Sequence, residues 1–339
     1  MTPKLRRQQH GLTLVELMVA MVAALVLMAG AIQVFIANKT TFRTQEGLGR
    51  MQESGRYAIE RIGRSVRGAG FFGCAGMDAV TPKVLASNPP ADLAEFTTGV
   101  PVAGLDDVGA TNDFDAAEGT DVLTLRGAGD EGVGLTGSLT AIDVDIPIAT
   151  GYDKFEKGDL VLVTDCQTAD LVRMTNDYGS GAVEHSNSSN IDSNLSKPYG
   201  ADAYVLKPYG YSYFVKDAGR TNTAGKAIRS LYRRDLAGND AEIVEGVADL
   251  QVLYGVDSNA DRFADRHMSA AQVNAAGAWG EVVSVRVSLL VDSVESVLQA
   301  PANYLFMPSG ASPITPADAD DRRLRQEFTG LFTLRNRTL

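Results

Sequence analysis

The sequence predicts an α+β protein in which one long N-terminal helix packs on a C-terminal antiparallel β-sheet domain. Three observations lead to this prediction. An apolar run near the N-terminus continues into a segment with helical periodicity, short runs rich in valine, isoleucine, leucine and threonine come later, and the two patterns do not alternate. A helix followed by strands favours an α+β fold over parallel βαβ units.

The composition excludes some functions. The chain has 339 residues, of which 45% are hydrophobic and 22% charged, as in an ordinary globular protein of one large domain or two small ones. Its formal net charge is −11, and removal of its first eleven residues would bring this to −14. So acidic a chain repels nucleic-acid backbones and anionic headgroups. We therefore expect no nucleic acid among its partners.

The N-terminal segment has the length and pattern of a membrane anchor. Three basic residues precede Gly11, and the 26 residues from Leu12 to Ala37 carry one ionisable side chain, that of Glu16. As a helix this run would be about 39 Å long, which is enough to cross a bilayer. The basic flank keeps the N-terminus in the cytoplasm. The rest of the chain is therefore predicted to be exported.

Glu16 needs an explanation, because a carboxylate inside a membrane costs up to a few kcal/mol and is usually retained for a partner or a function. A cut between Gly11 and Leu12 would create an α-amine at Leu12, one helical turn from Glu16. The amine and the carboxylate could then approach each other in one helix, or pair between neighbouring helices.

The stretch from Gly11 to Leu17, GLTLVEL, resembles the processing site of type IV prepilins and of the pseudopilins of type II secretion. The resemblance implies that prepilin peptidase cleaves after Gly11 and methylates Leu12, and that Glu16 guides assembly with other minor pilins and the major pilin. It also implies a single-pass inner-membrane protein with its C-terminal domain in the periplasm, later part of a pilus. The family more often has phenylalanine where Leu12 stands.

Two plainer interpretations remain open. A signal peptide could be cut after Ala29-Gly30-Ala31, although Glu16 would then lie in the apolar region without a role. A simple membrane anchor would account for the length of the run, but for neither Gly11 nor Glu16.

From Ala37 the helix is predicted to continue as an amphipathic half over residues 38–68. Its charged residues include i,i+4 pairs, Glu46 with Arg50 and Glu60 with Arg64, on a face that we interpret as solvated rather than as a nucleic-acid or lipid surface. Glycines at 47 and 49 predict curvature or local melting there, and glycines at 68 and 70 end the helix. The apolar stripe expected to contact a sheet consists of Met51, Gly55, Ala58, Ile59, Ile62 and Val66.

Residues 69–339 are predicted to form a β-rich globular domain. Loops with short strands are expected up to Gly119, and Asn176–Lys197 and Pro301–Asp321 are expected to be surface loops. The predicted strands are Val122–Leu125, Ala141–Ile148, Leu160–Thr164, Leu171–Met174, Tyr204–Leu206, Tyr211–Val215, Ser230–Arg233, Leu250–Val256, Val282–Val291 and Glu327–Leu334.

The two cysteines, Cys74 and Cys166, are predicted to form a disulfide, because export would place both outside the reducing cytoplasm. Two buried free thiols are the alternative. With only three histidines in the chain, the cysteines do not make a structural zinc site.

Two motifs suggest ligand chemistry and are better explained otherwise. Gly127–Gly132 matches G-x-G-x-x-G, but a further strand pattern follows in place of a helix, so we expect a turn between strands. Residues 257–265 space oxygen-bearing side chains as calcium loops do, but Arg262 replaces the required glycine and Met268 the bidentate glutamate. We expect a solvated turn there and no metal; the weak candidate ligands would be Asp257, Asn259, Asp261 and Asp265.

No combination of nucleophile, base and acid stands out, so the sequence predicts neither an enzyme nor a cofactor. His185 lies in the polar Asn176–Lys197 segment and His267 in a polar loop. Trp279 is either a contact residue at a loop tip or a core residue.

The second half also resembles one branch of the family, the PilW-type minor pilins. The resemblance lies in Val247–Asp257, in the arginine-bearing strand Val282–Val291 and in the end of the chain from Arg323. It implies a minor pilin at or near the pilus tip that helps to prime assembly, with roles in adhesion, twitching motility or DNA uptake. A J-type pseudopilin of type II secretion and an anchored exported domain that does not polymerise are the alternatives.

Overall fold

The computed structural model of the chain describes residues 13–73, 75–77, 79–87, 98–177, 179–310 and 312–338. One 55-residue helix precedes a mostly antiparallel β domain, which confirms the predicted fold class. The predicted leader, with Gly11, as well as Leu12 and Cys74 lie outside the described residues. The helices are α1 (Leu14–Gly68), α2 (Ala270–Ala276) and α3 (Arg335–Thr338), with short 3-10 turns at Ala278–Glu281 and Met307–Ser309.

Sixteen strands occur in the described part of the chain. They are β1 (Phe71–Phe72), β2 (Ala75–Gly76), β3 (Lys83–Val84), β4 (Val102–Leu105), β5 (Val122–Gly134), β6 (Ile146–Pro147), β7 (Leu160–Thr164), β8 (Ala169–Arg173), β9 (Ala182–Val183), β10 (Tyr204–Thr221), β11 (Ala227–Arg234), β12 (Asp240–Glu245), β13 (Val247–Val256), β14 (Arg266–Met268), β15 (Val282–Asp292) and β16 (Arg325–Thr333).

Two sheets form the body of the domain. The large sheet has the order β12-β11-β10-β7-β8-β3, with β5 also on β10 and β4 on β5, and its β3–β8 pair is parallel. The C-terminal sheet has the order β14-β13-β15-β16 and is antiparallel throughout. Helix α1 packs mainly on β15 and β16 and reaches β5 and β12. The main core therefore lies between α1 and both sheets.

Two strands that were predicted separately form one continuous strand in the structure. Tyr204–Leu206 and Tyr211–Val215 belong to the single 18-residue strand β10, because Pro208 and Gly210 do not interrupt it. Its register with β5 shifts between Leu206 and Pro208. A bulge is one of the few places in a sheet where proline is accepted. The reverse error occurs at Ala141–Ile148, where only Ile146–Pro147 is a strand.

The glycine motif at Gly127–Gly132 is not a turn, so that prediction is wrong. It lies within β5, antiparallel to β10, and opposite the register shift. A Cβ on Gly127 would be 2.9 Å from the Tyr209 hydroxyl, and one on Gly132 would be 2.3 Å from Leu206 Cδ2. These glycines let neighbouring side chains approach the strand. No helix follows them, so the motif lacks the geometry of a dinucleotide site.

A second core explains the polar Asn176–Lys197 segment, which is more than the predicted surface loop. Val183 and Leu195 are buried in it. The buried Asp170 carboxylate of β8 accepts hydrogen bonds from the Ser196 amide (2.9 Å) and hydroxyl (2.7 Å) and from the Tyr199 hydroxyl (2.7 Å). The segment is thus anchored to the large sheet.

Asp121 joins the two sheets. Its carboxylate is 2% exposed and accepts a hydrogen bond from the Asp107 amide (2.9 Å) and one from the Val252 amide of β13 (2.7 Å). Its own amide donates to the Leu250 carbonyl, also in β13. Burial raises the pKa of Asp121 to about 7, against the lowering effect of the two amides, and the nearby Asp106 and Asp107 raise it further.

Asp121 makes the stability of the domain depend on pH. Its pKa is higher in the folded chain, about 7, than its ordinary value of 3.8, so folding takes up a proton between these values. The free energy of unfolding therefore falls as the pH rises through that window. In Asp121→Asn we expect the loss between pH 5 and pH 8 to shrink by about 2 kcal/mol, since one pKa unit corresponds to about 1.4 kcal/mol.

The measurement is urea unfolding of the full chain in detergent micelles at several pH values. Asp202→Asn, a change at an exposed aspartate, is the matched control and should keep the wild-type dependence. An Asp121→Asn profile parallel to that of the wild type would contradict the assignment.

Candidate functional site: the N-terminal helix and its contact with the domain

Helix α1 begins at a capping box that includes Glu16. The Thr13 amide and hydroxyl each donate to Glu16 Oε2 at 3.0 Å, and the Glu16 amide donates to Thr13 Oγ1 at 3.3 Å. The carboxylate therefore points back towards the start of the helix, where the predicted cut would place a new amine. The T-x-x-E spacing from Thr13 to Glu16 is a known sequence signature of a helix start, so this cap could have been predicted from the sequence.

The first half of α1 has no partner within the described chain. Every residue from Thr13 to Lys39 is exposed. The most apolar window of the helix has a mean hydropathy of 2.5, and none of it is buried. This half is long and apolar enough to cross a membrane. It is also a continuous apolar surface on which equivalent helices could pack.

The second half of α1 lies on the domain through three glycines spaced eight residues apart. A Cβ on Gly47 would be 3.0 Å from Val297 Cγ1, one on Gly55 2.5 Å from Phe328 Cδ2, and one on Gly63 2.3 Å from Phe332 Cε1. The helix runs through Gly47–Gly49 without interruption, so the predicted local melting there is wrong. The glycines are contact points where the helix approaches the sheet.

Small and large residues alternate across this contact. Gly55 faces Phe328 and Gly63 faces Phe332, while a Cβ on Gly330 would be 3.0 Å from Ile59 Cγ2. Four helix residues rise about 6 Å and two strand residues about 7 Å, so α1 and β16 stay in step along this contact. They run in the same direction. At this interface each large side chain of one element therefore lies against a glycine of the other.

The ion pairs on the solvent-exposed face of α1 and the position where the helix ends are as predicted from the sequence. The predicted pairs form, with Arg50 2.8 Å from Glu46 and Arg64 3.1 Å from Glu60. The helix ends at Gly68, and Gly70 has a positive φ of 79°. Three further contacts fix this end to the domain: Ser65 with the Tyr213 hydroxyl (2.8 Å), Asn336 donating to the Ala69 carbonyl (3.0 Å), and the Arg67 guanidinium 5.4 Å from the centre of the Phe332 ring.

The candidate calcium loop is a turn that satisfies its own carboxylates. Asp257 accepts hydrogen bonds from the amides of Asn259 (3.2 Å), Asp261 (3.2 Å) and Arg262 (2.7 Å). Asp265 accepts from the amide and hydroxyl of Ser258. In the described part of the chain no group of three or more histidine, cysteine, aspartate or glutamate side chains could hold a metal ion.

The other candidate residues lie apart from one another. His185 is 2% exposed and neither ring nitrogen has a hydrogen-bond partner among the described residues, and His267 is exposed in β14. Trp279 is half-buried, packs edge-on against Tyr254 at 4.8 Å and donates to Asn274 Oδ1, which favours the interpretation as a core residue. Cys166 follows β7 and has a positive φ of 73°. Its pairing with Cys74 stays a prediction.

A model of the prokaryotic N-terminal methylation motif matches residues 6–32. Together with one long apolar helix that continues into an antiparallel β domain, this match supports a type IV pilus-related pilin.

The second match is more particular. A model of the family described as type IV pilus-assembly protein W matches residues 212–336, from within β10 to α3. It confirms the resemblance to PilW-type minor pilins. This class implies processing by prepilin peptidase and other pilins as partners, and the apolar helix with its motif fits a membrane-anchored pilin. No curated protein and no solved structure matches the chain.

The glycine contact can be tested with a matched pair of substitutions. Gly63→Ala places a methyl group against Phe332, so we expect it to lower the free energy of unfolding by roughly 1–3 kcal/mol, as overpacking does. Gly49→Ala meets no atom within 4 Å and should instead stabilise the helix by up to about 1 kcal/mol. Thermal and urea unfolding of the full chain in micelles measure both. Equal effects of the two substitutions would refute the steric explanation.

Proposed function

We propose that this chain is a minor pilin of a type IV pilus. Prepilin peptidase cleaves it after Gly11 and methylates Leu12, residues 12–37 hold it in the inner membrane, and the domain of residues 69–339 lies in the periplasm. The amphipathic half, residues 38–68, connects the two parts. The processed protein then enters the pilus at or near the tip. There it helps to prime assembly, in support of twitching motility, adhesion or DNA uptake. It acts by assembly and not as an enzyme.

The observation that carries this proposal is the contrast between the two halves of α1. One continuous helix has its second half fixed to the domain, while its first half is apolar and exposed and carries a carboxylate in its first turn. An anchor alone would need the apolar surface but not the carboxylate. A subunit that packs its helix among equivalent helices uses both.

Glu16 has two separable roles in this proposal. Within the chain it completes the capping box with Thr13. Between chains its negative charge pairs with the amine of a neighbouring subunit's Leu12. Glutamine also serves in a capping box but carries no charge. Glu16→Gln therefore keeps the local structure of the helix start and removes the ion pair, whereas Glu16→Ala removes both.

We expect Glu16→Gln and Glu16→Ala to be equally defective in pilus incorporation, at least tenfold below wild type, because charge pairing in a low-dielectric setting is the dominant interaction. Immunoblots of sheared pili measure incorporation. Mass spectrometry of the N-terminus is the control and should find a methylated Leu12 in all three proteins. Wild-type incorporation of Glu16→Gln would contradict the charge role, and an N-terminus other than Leu12 would contradict the processing.

The disulfide is tested by alkylation. If Cys74 and Cys166 are paired, the denatured, unreduced protein takes up no maleimide, and two labels appear after reduction. Cys74→Ser should expose one reactive thiol at Cys166 without reduction. The bridge would close a 93-residue loop, so we expect either serine variant to lose about 2–4 kcal/mol of stability. Two labels on the unreduced wild type would exclude the pairing.

A further inference from the structure

Strand β16 is an unprotected sheet edge. The other edge strands of the described chain have two to six residues, and the longest of them, β12, carries three carboxylates and a register shift. Short length, charge, proline and bulges are the usual protections against pairing with another chain. β16 has nine residues, an unbroken register with β15, no proline and one charged residue after Arg325.

The hydrogen bonds at the two ends of β16 show which of its residues direct their amides and carbonyls away from β15. Leu334 donates its amide to the Val283 carbonyl of β15, and Ser293 donates to the Leu324 carbonyl. Because the direction alternates along an antiparallel pair, the even-numbered residues of β16 bond to β15 and the odd-numbered residues face away. The outward amides and carbonyls therefore belong to Arg325, Glu327, Thr329, Leu331 and Thr333, and these have no main-chain partner among the described residues.

The surroundings of the edge are apolar and basic, apart from the Glu327 carboxylate, which accepts hydrogen bonds from the Met307 amide and the Thr329 hydroxyl. Leu331 is 59% exposed, and its cross-strand neighbour is the exposed Arg286. On the other side lies the flank of α1 that carries Arg67, which covers Phe332. Arg56 lies eleven residues earlier, three turns along the same flank. Within the described structure these three arginines form no ion pair, in a chain of net charge −11.

We infer that β16 is the docking edge for an extended strand of another pilus subunit with acidic side chains at alternate positions. Main-chain hydrogen bonds to the outward-facing residues of β16 give the affinity, and the arginines on both sides select the acidic sequence. The added strand lies beside α1, so the domain contact continues the helix contact along the same side of the molecule. The inference rests on the proposed function for the identity of the partner.

The test uses the full chain in detergent micelles and a fluorescein-labelled nine-residue peptide of alternating valine and glutamate. Fluorescence anisotropy should show saturable binding below about 1 mM, the range of a weak single-strand contact. Leu331→Pro removes one outward amide and no bond to β15, and should weaken binding at least about tenfold, the effect of about 1.4 kcal/mol. Leu331→Thr, which keeps the amide, is the matched control and should bind within about threefold of wild type.

Three further peptides keep the test decisive if Leu331→Pro does not fold. Two of them are N-methylated at every second amide, one peptide along each of the two edges of the strand, and we expect one or both to lose binding. The third has lysine in place of glutamate and should bind at least about tenfold more weakly. Absence of saturable binding, equal binding of the lysine peptide, or full binding of both methylated peptides would overturn the inference. None of these results depends on Glu16 or on pilus assembly, so this test and that of the proposed function fail independently.

Discussion

The close approach of α1 to β16 is the constraint on which the rest of the structure depends. Glycines at 55 and 63 receive the rings of Phe328 and Phe332, and Gly330 receives Ile59. No side chain could stand at these glycines without moving an aromatic ring or the helix. Because the helix axis is fixed by this contact, the buried Met51, Ala58, Ile62 and Val66 are held over both sheets. The domain core is therefore assembled on one side of a single rigid helix.

The long helix and the antiparallel strands could be predicted from the sequence, but the roles of individual glycines and of Pro208 could not. The extent of α1 followed from apolar periodicity and terminal glycines, and the antiparallel strands from alternation, since both patterns are local. Gly47 was interpreted as a point of curvature or local melting, because helix propensity does not include its contact with Val297, which lies 250 residues away in the chain. The continuity of β10 through Pro208 and the strand at Gly127–Gly132 were missed for the same reason, since each depends on its neighbour across the sheet.

In the candidate site, the sequence identified Glu16 but predicted only one of its two interactions. Glu16 stood out as a lone charge in an apolar run, and this led to an intermolecular role. The structure adds a local role, since Glu16 and Thr13 satisfy the first backbone amides of α1. Asp121 could not be identified from the sequence, because its burial and its bonds to β13 arise only when the two sheets meet. In a chain with many aspartates and glutamates, the sequence does not distinguish a buried carboxylate from an exposed one.

The parallel alignment of α1 and β16 has a mechanical consequence. A tensile load carried along the helix axis acts parallel to this contact, in shear, so that Phe328, Ile59 and Phe332 resist it together. A perpendicular contact would open by peeling, one residue at a time. The order of small and large residues that lets the chain fold around its helix thus also suits the domain to remain attached to α1 when the helix is pulled along its axis.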